Sequence, residues 1–94
     1  MAMTRITAES FAARVLAWLT EDHARIAGFL SWSGDSAASL RSRIQDPALL
    51  SAVIDYLLLD EAMLRDACAD LSCPPETPLN ARAALPGGND PHWT

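Results

Sequence analysis

Apolar side chains recur along this chain at helical spacing. Phe11, Val15, Trp18 and Leu19 follow an i, i+4, i+7, i+8 order, the stripe of a helix with one buried face. Thr7 offers a capping hydroxyl and Glu9 sits in the first turn, so the pattern predicts a helix over about 8–20. Asp22 can cap a second helix that buries Ile26, Phe29 and Leu30 and stops before Gly34, a residue suited to the left-handed closing position. Asp35 or Ser36 restarts the chain into a short third helix carrying Leu40 and Ile44. Asp46-Pro47 is a cap followed by proline at the first helical position, and a fourth helix is predicted over about 47–59. Asp60 repeats the role of Asp22 for a fifth helix whose inner face is Leu64, Ala67, Cys68 and Leu71. After Pro74, Pro75 and Pro78 a last helix is predicted over about 75–85, stopped by Pro86-Gly87-Gly88. No window alternates or is enriched in β-branched residues, so no strand is expected. The expectation is one helical domain over 1–86 and a flexible C-terminal tail over 87–94.

The two halves of this pattern resemble each other. Phe11, Val15, Leu16, Trp18, Leu19, Asp22, Ala24, Ile26 and Leu30 recur 38 positions later as Leu49, Val53, Ile54, Tyr56, Leu57, Asp60, Ala62, Leu64 and Cys68. With one extra residue, Leu40 and Arg43 answer to Leu79 and Arg82. Duplicated helical units produce such self-similarity, and so does the shared period of two unrelated amphipathic helices. The fold class expected is all-α: six short helices in two similar three-helix halves forming one compact bundle, with the fourth helix most central.

That fourth helix has more apolar surface than one stripe needs. Leu50, Val53, Ile54 and Leu57 form its inner face, while Leu49, Ala52, Tyr56 and Leu59 form a second, leaving only Ser51 and Asp55 polar. The second face is either covered by the other five helices or is a candidate interaction face. Trp18 is expected in the core, Trp32 at a helix end and Trp93 in the tail.

Charge narrows the function classes. The chain of 94 residues has twelve acidic and seven basic residues, every one of the latter arginine, for a net charge of −5. A general affinity for nucleic acid or anionic membranes is not expected, because phosphate binding needs a positive field. The longest apolar stretch, around Leu57–Leu59, is far shorter than the ~20 residues of a membrane span, and no signal-like segment precedes the first helix; the cytoplasm is the expected compartment.

The string from Asp46-Pro47 through Tyr56-Leu57-Leu58 and Asp60-Glu61 to Ala81-Arg82-Ala83-Ala84-Leu85-Pro86-Gly87-Gly88 resembles the bacterial domain-of-unknown-function 3572 family. Trp18-Leu19 with Asp22, and Phe29-Leu30 with Ser33-Gly34, fit the same pattern, so the resemblance runs from about Ser10 to Gly88. It implies a small all-helical protein, typical of alphaproteobacteria, without an established activity, and it assigns no catalytic residue. Pro74 before Pro75-Glu76, and Pro78 in the first turn, depart from the pattern and leave the start of the last helix open.

No constellation of residues points to catalysis, a cofactor or a metal. Glu21, Asp22 and His23 are adjacent, but neighbours on a helix fan out by about 100° and do not converge on an ion, and His92 falls in the tail. Asp55, Asp60, Glu61, Asp66 and Asp70 read as a solvated face, with Glu61 pairing to Arg65 and Asp66 with Asp70 an exposed like-charge pair. Cys68 falls on an apolar stripe and Cys73 in the loop beyond, neither with a residue placed to activate it; a bridge between them across the helix end stays open. The segment 23–45 has the outline of a helix-turn-helix reader, with Arg41 and Arg43 on its second element. The reading favoured is a non-catalytic module that binds another protein or itself, with DNA binding through 23–45 as the alternative.

Overall fold

The computed structural model describes residues 3–86 and contains six helices and, among the described residues, no strand. They are α1 (Arg5–Thr20), α2 (His23–Ser33), α3 (Ala37–Ser42), α4 (Pro47–Leu58), α5 (Glu61–Leu71) and α6 (Glu76–Ala84). The tail over 87–94, with His92 and Trp93, lies outside the described residues.

Local chemistry sets most of the boundaries. Asp22, Asp46 and Asp60 each accept backbone N–H bonds at the start of α2, α4 and α5, and Ser36 does the same for α3. α1 begins a turn earlier than expected, because Thr4 rather than Thr7 is the cap and its hydroxyl accepts from the Thr7 N–H at 3.1 Å. The extra turn adds an Arg5–Glu9 pair at i, i+4 and brings Met3 against the core. α3 ends before Ile44, since Arg43 turns out of helical geometry to meet Asp35 and Asp46 at 2.9 and 3.2 Å. Ile44 is therefore left 52% exposed and not on a buried face. α6 starts at Glu76 without a side-chain cap; the Pro74 carbonyl accepts from Thr77, and Pro78 occupies the first turn, where its missing N–H costs nothing.

The boundaries of α2 and α5 recur at the offset of 38, and those of α1 and α4 only at their C-terminal ends, Thr20 and Leu58. α2 and α5 each run eleven residues from an aspartate cap and end on a left-handed residue, Gly34 (φ 82°) and Ser72 (φ 56°). α3 and α6 differ, being six and nine residues long.

The core sits between α1, α4 and α6, and the most extensive packing joins α1 to α4 and to α6, crossing between the two sequence halves. α1 therefore shares the central place with α4. Ala8, Ala12 and Ala81 are fully buried, small enough to let helices close in, around larger Val15, Leu19, Leu49, Val53, Ile54 and Leu57. α2 contributes Phe29 and α5 Ala67 and Cys68, while α3 touches the other helices lightly through Leu40. The radius of gyration, 12.6 Å, is that of a compact chain of about this length.

Candidate interaction surface

The four residues of the second α4 face do not share one environment. Leu49 is 1% exposed and part of the core, and Ala52 and Tyr56 pack against it from its edge. Leu59 lies past the end of the helix and is 67% exposed. Tyr56 is held by aromatic contacts, its ring 5.5 Å from Phe29 edge-on and 5.4 Å from Trp32. Ser51, expected on a polar face, is buried and donates its hydroxyl to the Pro86 carbonyl at 3.2 Å. Of this face, only Leu59 presents a large free apolar side chain.

A larger apolar surface lies elsewhere. A groove of about 440 Å³ runs between α1, α2 and α3, its floor made by Leu16, Ile26, Leu30 and Leu40 and its rim by Ile44. The ionisable side chains lining it are His23 and Arg41, and among the described residues no carboxylate does. Arg41 is exposed and stands out from the other arginines. Arg5, Arg65 and Arg82 pair with Glu9, Glu61 and Asp55, and Arg43 with Asp35 and Asp46. Arg14 donates to the Leu71 carbonyl at 2.9 Å, and Arg25 lies 3.8 Å above the Trp18 ring. Arg41 has no such partner among the described residues.

The carboxylates are mostly structural. The Arg25 and Ala24 N–H groups hold the Asp22 carboxyl below its usual range, and the Ala48 N–H, with the Arg43 guanidinium, does so for Asp46. Asp46 and Asp35 in turn raise Arg43, Asp46 through a hydrogen bond and Asp35 mainly through its charge. Asp70, expected to be simply solvated, accepts the indole N–H of Trp18 at 2.7 Å and so ties α5 to α1. Trp18 is 2% exposed, as its place on the stripe predicts. Asp55, expected on the same solvated face, meets Arg82 on α6. A separation of 52 residues hides the Trp18–Asp70 bond from any spacing rule.

His23 is exposed, and no group of three or more potential metal ligands occurs among the described residues. No helix of the described residues is long and apolar enough to cross a membrane.

A family model for a protein of unknown function, DUF3572, matches residues 5–88 and so takes in all six helices. The chain belongs to the DUF3572 family. No curated protein and no solved structure matches it closely enough to add a relative. The family match begins where α1 begins, one turn before the helix start expected from Thr7. The α1–α2–α3 groove lies wholly inside the family's span.

Proposed function

We propose that this DUF3572 protein is a non-catalytic protein–protein interaction module, and that the α1–α2–α3 groove is its docking site for an apolar partner segment flanked by acidic side chains. The observation that carries this reading is a mismatch of charge. In a chain of net charge −5, the apolar groove is lined by His23 and an unpartnered Arg41 and by no carboxylate among the described residues. An apolar bed with a cationic rim favours an occupant of the opposite pattern, since complementary charge speeds encounter and fixes register.

The fold supports the same reading. We take the two halves as copies, on the strength of the matching caps Asp22 and Asp60 and the left-handed helix ends at Gly34 and Ser72. On that view α3 is the shortened counterpart of α6. Where α6 packs onto α1 and α4, the shorter α3 leaves Ile26 and Leu30 only half-buried beside the buried Leu16. DNA binding through 23–45 has less behind it, because Arg43 is held by two aspartates and Arg41 alone is free to meet phosphate.

Ile44 and Arg41 are exposed, so Ile44→Asp and Arg41→Glu should leave the circular dichroism and melting temperature unchanged. The expected result in lysate from the source cells is a protein retained by the wild type, lost by both variants, and released as salt rises. Retention that ignores both substitutions overturns the groove as the site. Loss on Leu59→Glu instead would move the contact to α4, and a salt-dependent shift of random duplex would favour DNA.

A further inference from the structure

The two cysteines occupy the two ends of one closing motif. At the end of α5, Ser72 turns left-handed, its N–H reaches the Ala69 carbonyl, and the Cys73 N–H donates to the Cys68 carbonyl at 3.0 Å. This is the paired hydrogen bonding of a Schellman closure, in which the first and last residues bring their side chains into contact. In most proteins that contact is between two hydrophobes; here both are thiols. The Cys68–Cys73 bond also holds the two Cα atoms within about 7 Å, the reach of a disulfide.

Their surroundings differ in a way that gives each thiol a role. Cys68 is 7% exposed and its Sγ–H points to the Pro74 carbonyl at 3.8 Å, whereas Cys73 is half-buried at the start of the loop to α6. Burial first, and then the neighbouring Cys73 and Glu76 side chains, push the Cys68 thiol up to about 11. The Cys73 contribution is lost once that thiol is covalently capped. An approaching oxidant therefore meets Cys73 first, and its reaction removes part of what keeps Cys68 protonated.

We propose that Cys73 and Cys68 form a thiol–disulfide exchange site for a low-molecular-weight disulfide, with Cys73 the attacking and Cys68 the resolving thiol. The Cys73 thiolate attacks one sulfur of the reagent, forming a mixed disulfide and releasing one small thiolate. Cys68 then gives up its proton and attacks the Cys73 sulfur, closing the Cys68–Cys73 bond and releasing the second thiolate. The two protein thiols lose two electrons and two protons, and the reagent disulfide gains them as two small thiols. The bridge ties the last turn of α5 to the entry of α6, and is independent of the groove.

The test uses the reduced full chain with oxidised glutathione, followed by rapid alkylation and intact-mass measurement. The wild type is expected to lose two hydrogens and both alkylatable thiols as a monomer. Cys68→Ser should stop at one added glutathione, and Cys73→Ser should react at least about tenfold more slowly while folded. Native circular dichroism of each variant before reaction keeps misfolding from imitating these results. Two free thiols in the folded wild type at equilibrium would overturn the site, as would a covalent dimer, or equal rates for the two single variants.

Discussion

Gly28 lies in the middle of α2, where glycine weakens a helix by about 1 kcal/mol relative to alanine. Its reason is Tyr56, since a Cβ at Gly28 would stand 2.5 Å from the Tyr56 hydroxyl oxygen. The Tyr56 ring cannot swing away freely between Phe29 and Trp32. Gly28→Ala should therefore lower the melting temperature. In a Tyr56→Phe background the next atom of that ring is 3.7 Å away, and the same change should raise it by the ordinary propensity gain. A gain from Gly28→Ala in the wild type would contradict this account of the contact. Neither the close approach nor the Trp18–Asp70 bond was legible in the sequence, because each joins residues far apart in the chain.

The helices themselves were legible wherever a short-range rule decides them. Asp22, Asp46 and Asp60 cap as read, because an aspartate oxygen within three residues of free N–H groups needs no tertiary help. Thr4 and Thr7 are both acceptable caps by that rule, and packing of Met3 with the Arg5–Glu9 pair favours the earlier one. The second apolar face of α4 shows a similar limit. Periodicity counts apolar positions but does not say how many neighbours surround the helix, and Leu49 was needed inside. The groove lay beyond the pattern because it depends on α3 ending before Ile44. The caps also set the acid response. Asp22 and Asp46 have folded values held below the ~3.9 of an unfolded aspartate, so the stability they add is complete above that value and is lost as pH falls through the folded values. The melting temperature should be level from about pH 7 to 5 and fall below about pH 4. Asn at both positions still caps but does not titrate, and should make that fall shallower; an unchanged acid limb would remove these caps from its cause.

At the scale of the whole molecule, α1 finds its main partners in α4 and α6, on the other side of the link at 43–46. Peptides covering 1–45 and 46–94 should each show little helix by circular dichroism and regain it on mixing, because neither can bury its apolar stripe alone. A folded 1–45 peptide would mean that the first half supplies its own core. The same cross-packing governs how the chain is made. Synthesis delivers α1 first and α6 last, so Phe11, Val15 and Leu19 leave the ribosome well before the surface that covers them. At roughly 5–20 residues per second that interval is on the order of 3–13 s, long enough for a chaperone to take hold of α1. Synthesis rate, and not only the finished sequence, therefore bears on how much of this protein reaches its folded form.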